Sequence, residues 1–222
     1  MTENKLIFAY WPVQSLGHPI RLLLAYHNIP WEEKSYDLKD REGWFGKAKL
    51  ELKTPFPNLP YIQDGDLILT ETLALIQYAA YKTGQKDLIG KTDLDSIKIY
   101  QLWSLSKDVW SLLYGLAKNP DYDKVRDEVL KEKMAPFLDK FAKALGDQDY
   151  PLGYLTWADF YCSYVIGIIS RMNPDFVTVW PTLLKYHERI FSNEGIQAFR
   201  KSEKYPRLFV SEISPWKGEE KI

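Results

Sequence analysis

Residues 8–24 read FAYWPVQSLGHPIRLLL, and this stretch decides the fold at the start of the chain. An apolar run ends in Ala9-Tyr10-Trp11, and a polar corner of Gln14-Ser15 follows. Gly17-His18-Pro19 then opens a stretch with apolar residues at helical spacing as far as His27, and proline fits the first turn of a helix. The sequence therefore predicts a strand, a corner and a helix. The tyrosine at the strand end either packs or acts as a proton donor aimed at a ligand.

The remainder of the first 84 residues shows the pattern of a mixed α/β unit. WEEKSYDL alternates as a strand does, EGWFGKAKLEL is a weak short helix, and TLALIQYAAYKTG is a helix with Gly84 as its C-cap. PYIQDGDLILTE is a hairpin, because the glycine of Asp64-Gly65 supplies the positive φ of a tight turn. This order of elements predicts a small sheet covered by helices.

From Thr92 onward the apolar spacing becomes that of helices alone. One helix is expected to close at Asn119-Pro120, and the next carries Pro136, which can kink it. TWADFYCSYVIGIISRM is apolar nearly all round and is predicted to be the central helix, with Thr156 and Asp159 as its capping box. The predicted organisation is a mixed α/β domain, a linker and an all-helical domain, over 1–84, 85–91 and 92–222.

The composition is typical of a soluble globular protein, with 45% hydrophobic, 27% charged and 15% aromatic residues among 222. The formal net charge is -1, so no charge excess indicates nucleic acid or an anionic membrane as partner. The opening MTENKLIF lacks a basic segment before a long apolar one, and no apolar run reaches transmembrane length. The single cysteine, Cys162, excludes an internal disulfide framework and a cysteine-based metal cluster. We expect a cytoplasmic protein without a metal.

The richest segment for binding is PFPNLPYIQDGDLILTETLALIQY, residues 55–78. Pro60 begins a strand, and a cis Leu59-Pro60 bond would turn Leu59 outward with its backbone N–H and C=O free to pair with a peptide. Glu71-Thr72 opens a helix, whose free N–H groups and positive dipole end suit a carboxylate. Glu71 adds a negative charge for an amine. The segment predicts a peptide-like ligand with a free amino-acid end.

With these motifs the chain resembles a cytosolic glutathione transferase of the mu class. The resemblance runs from FAYWPVQSLGHPIRLLL through DREGW and FPNLPYI to LTWADF and the tail around Trp216. It implies a thioredoxin-like N-terminal domain followed by an all-helical C-terminal domain. It also implies a homodimer, with glutathione as co-substrate and no metal or redox cofactor.

The resemblance implies a role for each matching position. Tyr10 matches the catalytic tyrosine, which donates a hydrogen bond to the glutathione sulfur. Phe56 matches an aromatic residue that plugs into the partner subunit. The positions implied to hold glutathione are Tyr10, Trp11, Leu16, Trp44, Lys47, Asn58, Leu59, Pro60, Glu71, Thr72 and Asp108. The positions assigned to the second, hydrophobic substrate are Arg41, Trp110 and Tyr114.

Three departures from the mu pattern stand out. YDLKDR is several residues short, so the loop that mu proteins carry here is expected to be missing and the site more open. The family lysine falls on Ala48, so Lys47 is assigned in its place and Lys49 is the alternative. Glu71 replaces a glutamine and makes the amine pocket more acidic.

The implied chemistry depends on the pKa of one thiol. A free thiol with a pKa near 8.5 is only about 3% thiolate at pH 7, and the thiolate is the nucleophile. A hydroxyl that donates preferentially to the charged sulfur lowers this pKa, and a fall of about 2 would leave roughly three-quarters of the bound thiol ionised. The sulfur then attacks an electrophilic carbon of an apolar second substrate.

Every site residue also has a structural interpretation. Without its flanking residues, Tyr10 would be interpreted as a packing residue at a strand end. Ser15 is the alternative hydrogen-bond donor to the glutathione sulfur, because sister classes use a serine in this turn. Lone lysines are most often solvated, Cys162 lies in the most apolar helix as a small core residue, and the three histidines lack ligand-like spacing. Two other functions remain: a glutathione-dependent isomerase of the prostaglandin-synthase kind, and a crystallin-like ligand-binding or structural protein.

Overall fold

The computed structural model describes residues 5–220, and its N-terminal half is built on a four-stranded mixed sheet. The strands lie in the order β2-β1-β3-β4, with β1 parallel to β2 and antiparallel to β3. Phe8 and Ala9 of the central strand β1 are fully buried, as expected for a strand covered on both faces. The strand bounds are β1 Leu6–Tyr10, β2 Trp31–Ser35, β3 Tyr61–Asp64 and β4 Leu67–Thr70.

The β3–β4 hairpin turns one residue later than the sequence predicted. Asp64 pairs with Leu67, so Asp64 is the last residue of β3 and the loop is Gly65-Asp66. Gly65 has φ +61, which confirms the glycine as the source of the positive φ. The Asp64-Gly65 placement was wrong because composition alone does not set the register of a two-residue loop.

Three helical segments accompany the sheet. Helix α1, His18–Tyr26, has Pro19 in its first turn and packs against α3, Thr72–Lys82. Gly84 follows α3 with φ +73, as a helix C-terminal glycine does. The weak helix predicted over 42–52 is a π-helical turn over Gly43–Ala48 that runs into α2, Lys49–Glu51.

A buried ion pair joins α1 to the sheet. Arg21 of α1 is 1% exposed, and its Nη2 lies 2.6 Å from Glu33 Oε1 on β2. Its Nη1 and Nη2 also donate to the carbonyls of Val13 (2.9 Å) and Trp11 (3.2 Å). Trp31 Nε1 donates to the other carboxylate oxygen of Glu33 at 3.0 Å. One guanidinium therefore ties the segment after β1 to β2.

The second half is helical, as predicted. The long helix of this half, α4, ends at Ala117, and the segment that contains Pro136 is interrupted. A π-helical turn over Leu130–Met134 precedes that proline and divides the segment into two helices. The remaining bounds are α4 Asp93–Ala117, α5 Tyr122–Val129, α6 Ala135–Leu145, α7 Trp157–Met172, α8 Pro181–Phe191 and α9 Glu194–Lys201. The division at 84/85 and 91/92 stays a prediction.

Helix α7 is the central helix of the second half, as the sequence predicted. It packs against α1, α4 and α8, and most of its residues are buried, Cys162 among them. Its capping box is present: the backbone N and Oγ1 of Thr156 donate to Asp159 Oδ2 at 2.7 and 2.8 Å. Tyr186 donates to Asp159 Oδ1 at 2.8 Å, and burial raises the pKa of Asp159 to about 6.

The cap should contribute measurably to stability. We expect Thr156→Ala to lower the free energy of unfolding by about 1 kcal/mol, because an N-cap hydroxyl is lost. Thr156→Ser keeps the hydroxyl and is the matched control. Urea denaturation of the two variants beside the parent checks this. Equal midpoints for Thr156→Ala and the parent would contradict the role given to the box.

None of the helices between residues 5 and 220 has the length and hydrophobicity that a membrane span requires. The same part of the chain holds no group of three or more His, Cys, Asp or Glu side chains placed to bind a metal ion.

Candidate active site

Tyr10 lies at the end of β1, beside the turn that leads to α1. Its ring packs on Gly17: a Cβ at that position would come within 2.7 Å of Tyr10 Cδ1, so the close approach requires glycine. Burial raises the pKa of the phenol, while the Ser15 hydroxyl, the Leu16 backbone N–H and Arg21 act in the opposite direction. Tyr10 is therefore protonated at neutral pH and can only donate to a thiolate.

Ser15 forms the corner of this turn in a strained conformation. Its φ is +35, which is uncommon for a residue other than glycine. Its backbone N donates to the carbonyl of Phe209 at 3.1 Å, and the Gln14 N donates to the carbonyl of Leu208 at 2.7 Å. The predicted rival of Tyr10 thus lies close enough to it to lower the pKa of the phenol.

An aromatic wall follows Tyr10. Trp11 lies 6.3 Å from the rings of both Tyr36 and Phe45, measured between centroids. Trp44, only 2% exposed, packs edge-on against Tyr36 at 4.8 Å and stacks on Tyr61 at 6.3 Å. Trp44 is therefore part of a buried aromatic cluster with Tyr36 and Tyr61. Each ring of the wall contacts at least one other.

The charged side chains predicted near this wall lie at its outer edge. The Arg41 guanidinium is 5.0 Å from the centre of the Phe45 ring, so Arg41 reaches the site from the side of Trp11. Lys49 Nζ is 5.8 Å from the same ring, while Lys47 is exposed. The choice between Lys47 and Lys49 stays a prediction.

The Leu59-Pro60 peptide bond is cis, and Leu59 differs from expectation. Leu59 is buried, with 9% exposure, and its backbone N–H donates to Asn58 Oδ1 at 3.0 Å. The prediction that Leu59 faces outward with a free N–H was therefore wrong. The cause is local, because the Asn58 side-chain amide folds back and accepts the hydrogen bond of the Leu59 N–H, the group predicted to pair with a ligand.

Asn58 also reaches the start of α3. Its Nδ2 donates to Glu71 Oε1 at 3.0 Å, so the cis-proline loop and the helix start are joined. Glu71 has φ +71, a strained value for glutamate, and Thr72 is the first residue of the helix. The carboxylate of Glu71 is exposed beside the free N–H groups of a helix start. This places an acceptor for an amine next to donors for a carboxylate.

The candidate second-substrate surface lies on α4. Trp110 and Tyr114 stack, with ring centroids 5.0 Å apart and planes 22° apart. Phe209 of the C-terminal segment packs edge-on against both, at 6.4 and 6.5 Å. Tyr114 also lies near enough to Tyr10 to influence its pKa. Asp108, two residues before Trp110, is exposed.

Sequence reasoning missed four of the residues that build the site. Tyr36 and Phe45 were not predicted as site residues. They lie on either side of DREGW in the sequence, and these flanking aromatic residues could have indicated an aromatic cluster around Trp44. Phe209 was not named because only its contacts across the fold bring it to the site. Arg21 could have been predicted in part from the sequence. It lies within the apolar run IRLLL, and an arginine in such a run indicates a buried charge with a partner of opposite charge.

Phe56 lies on the loop before the cis-proline and is 74% exposed. Its carbonyl accepts a hydrogen bond from Thr70 Oγ1 at 2.8 Å, which holds the loop against β4. Phe56 is one of several large apolar side chains that the described residues expose, so its exposure leaves the predicted contact with a partner subunit a prediction.

Two family models match the chain. The Glutathione S-transferase N-terminal domain covers residues 7–81 and the C-terminal domain covers 105–203. Human Glutathione S-transferase Mu 4 is 30% identical over 93% of this chain and 96% of its own. A Glutathione S-transferase of Tyrophagus putrescentiae is 30% identical over 98% and 99%. The structure of rat hPGDS complexed with a quinoline superposes with a TM-score of 0.75 at 26% identity, covering 93% and 100%.

The chain belongs to the glutathione S-transferase family. Its fold is the thioredoxin-like N-terminal domain with a helical C-terminal domain, as the resemblance implied. The similarity to a Mu-class member extends over most of the chain and confirms a mu-like protein. The names of these curated relatives favour a transferase over the isomerase and crystallin-like alternatives.

Proposed function

We propose that this protein conjugates the thiolate of glutathione to hydrophobic electrophiles, as a step in detoxification. The observation that carries the proposal is the buried, protonated phenol of Tyr10 at the sheet edge where β3 starts, with a helix start at Thr72 that suits a peptide carboxylate. A phenol in this state donates to sulfur and favours the charged form. Conjugation forms one carbon–sulfur bond. In a substitution the bond to the leaving group breaks, that group departs with the electron pair, and the thiol proton goes to solvent. In an addition the electron pair of a double bond moves to the neighbouring atom, which takes up the proton.

The peptide site combines three parts of the N-terminal half. The γ-glutamyl end would be held at the start of α3 by Glu71 and Thr72, together with Asp108 of the partner subunit. The two carboxylates offer negative charge to the amine, and the helix start at Thr72 offers N–H donors to the carboxylate. Asn58, the Leu59 backbone and Pro60 would hold the middle of the tripeptide. Trp44 with Lys47 would bind the glycyl carboxylate, and Trp11 with Leu16 would line the sulfur.

Binding requires one internal hydrogen bond to be exchanged. The Leu59 N–H now donates to Asn58 Oδ1, so a ligand carbonyl must displace that amide. The displaced Asn58 keeps a partner, because its Nδ2 already donates to Glu71. The exchange leaves no buried donor unpaired, which keeps the cost of ligand entry low.

The second substrate would lie between the two halves. Trp110 and Tyr114 form one wall with Phe209, and Trp11 with Arg41 forms the other. Flat apolar molecules suit stacked rings of this kind. The Arg41 guanidinium can favour electrophiles that carry a partial negative charge.

The functional unit in this proposal is a cytoplasmic homodimer. Phe56 inserts into an apolar surface of the partner subunit, and its exposed ring is available for this contact. The dimer also brings Asp108 of one subunit to the glutamyl amine bound by the other. An isolated subunit would have an incomplete glutathione site.

We expect Phe56→Glu to weaken the dimer about tenfold, because a buried aromatic contact becomes a desolvated charge. Analytical ultracentrifugation over a dilution series checks this. Ile213→Glu is the matched control, since Ile213 is 94% exposed on the C-terminal segment. An intact dimer in the Phe56 variant would contradict the insertion.

One assay set tests the proposed function. Turnover of glutathione with an aromatic halide, measured as loss of free thiol, should be stoichiometric with product. Retention on immobilised glutathione should accompany it. Retention without turnover would favour a ligand-binding protein, and product formation without thiol loss from an isomerisable substrate would favour the isomerase.

A further inference from the structure

Four polar side chains surround the carboxylate of Glu220, near the end of the described chain. We call this group the clamp; it consists of Glu220, Gln14, Arg171, Arg200 and Tyr205. The Glu220 carboxylate accepts hydrogen bonds from Tyr205 Oη (2.6 Å), Arg200 Nη2 (2.9 Å) and Gln14 Nε2 (2.9 Å), and Arg171 Nη1 lies at 3.7 Å. Burial acts to raise the pKa of Glu220, but Arg171, Tyr205 and Arg200 outweigh it and hold the pKa below its usual value. The carboxylate is therefore ionised throughout the neutral range.

The clamp reaches the active-site turn through Gln14. This side chain is fully buried, and both ends of its amide are used: Nε2 donates to Glu220, and Oε1 accepts from Arg171 Nη2 at 2.7 Å. The carbonyl of Gln14 accepts from the His18 N at 2.9 Å. Gln14 therefore connects Glu220 to the first residue of α1.

The C-terminal segment is also joined to this turn through the backbone. Gln14 N and Ser15 N donate to the carbonyls of Leu208 and Phe209. The segment folds on itself to reach them, since Phe209 N donates to Lys217 O and Glu220 N donates to Arg207 O, each at 2.9 Å. Arg171 Nη1 donates to Gly218 O at 2.8 Å. The position of Ser15 thus depends on residues about 200 positions later.

The Ser15 hydroxyl and the Leu16 backbone N–H lie close enough to the Tyr10 phenol to lower its pKa. The strained φ of Ser15 persists only where its surroundings hold it. Those surroundings are the Phe209 carbonyl and the clamped Gln14. Loosening the clamp lets the turn relax, and the Ser15 hydroxyl and Leu16 N–H then move off the phenol.

We infer that Glu220 is a positioning residue for thiol ionisation, acting through Gln14 and Ser15 on the orientation of Tyr10. The inference rests on the proposed role of Tyr10 and adds a residue to it. Glu220 contacts neither the reacting sulfur nor the electrophile.

The test is Glu220→Gln in the full chain, which keeps the size and removes the charge. We expect the pKa of bound glutathione to rise by about 1, which lowers the thiolate fraction and kcat/KM at pH 7 about threefold. The pKa is measured from ultraviolet absorbance of the thiolate in a pH titration of the complex. Glu219→Gln is the matched control, because Glu219 is the exposed neighbour, and it should leave the titration unchanged.

An unchanged thiol pKa in Glu220→Gln would overturn the inference. Should that variant be too unstable to titrate, Glu220→Asp supplies the same comparison: a raised thiol pKa supports the inference and an unchanged one overturns it. The double variant Gln14→Glu/Glu220→Gln exchanges the two partners, leaves an acceptor for Arg171 and Arg200, and should restore most of the parent pKa. Failure to restore it would also count against the inference.

Tyr10→Phe separates this inference from the proposed function. Adding Glu220→Gln to Tyr10→Phe should raise the thiol pKa no further, since the effect passes through the phenol. A merely structural role would add to it. If Tyr10→Phe left the thiol pKa unchanged, the proposed role of Tyr10 would be wrong. If Tyr10→Phe raised the thiol pKa and Glu220→Gln left it unchanged, only the inference about Glu220 would be wrong.

Discussion

Tyr10→Phe is expected to lower kcat/KM for conjugation at pH 7 about 25-fold, while the Kd for glutathione changes less than about twofold. The phenyl ring still packs on Gly17, so the strand end is preserved. The hydrogen bond to sulfur is lost, and the pKa of the bound thiol returns from about 6.5 towards 8.5. The thiolate fraction at pH 7 then falls from roughly three-quarters to about 3%.

The pH profile distinguishes this account from a loss of folding. In the parent protein kcat/KM should rise with pH to a plateau with its midpoint near about 6.5, and in Tyr10→Phe the midpoint should move to about 8.5. At pH 9 and above the two proteins should therefore converge. Tyr154→Phe, which removes a hydroxyl bonded to Asp95 far from the site, is the control.

Ser15→Ala completes this experiment. If Ser15 rather than Tyr10 supplies the donor to sulfur, Ser15→Ala would show the large displacement of the profile and Tyr10→Phe would not. With Tyr10 as donor, Ser15→Ala should give a smaller displacement, because the serine acts on the phenol and not on the thiolate.

The second large effect is on stability. We expect Arg21→Leu to lower the free energy of unfolding by about 3–5 kcal/mol, because the Glu33 carboxylate is left buried without its charge partner. The carbonyls of Trp11 and Val13 lose their donor as well. Urea denaturation followed by circular dichroism measures the loss.

Two further variants make this prediction specific. Arg126→Leu removes an arginine whose partner, Asp127, is mostly exposed, and should cost less than about 1 kcal/mol. The double variant Arg21→Leu/Glu33→Leu should be more stable than Arg21→Leu alone, because no uncompensated charge remains. A double variant as unstable as the single one would show that the loss comes from packing and not from the orphaned carboxylate.

The elements were predictable where the pattern is local. The strand before Tyr10, the proline in the first turn of α1, the Thr156 cap and the interruption near Pro136 depend on residues within a few positions of one another. Spacing, caps and proline geometry act over that range, so they can be read from one sequence.

The site was predictable only in part. The apolar run placed Tyr10 at the strand end, where the structure has it, while its catalytic role followed only from the resemblance and stays a prediction. The hydrogen bond from the Leu59 N–H to Asn58 Oδ1 could not be predicted, because it depends on which rotamer the Asn58 side chain adopts. Phe209 and Glu220 contact the turn across about 200 residues of chain, and no periodicity in the sequence indicates such a contact.

The dependence of Ser15 on Phe209 has a consequence for synthesis. The ribosome releases the strand with Tyr10 long before it makes the segment that holds the turn in its strained form. A nascent chain can fold its sheet early, since domains form as units during translation. The turn around Tyr10 and Ser15 therefore takes its final form only after the segment around Phe209 has been made and has docked against it.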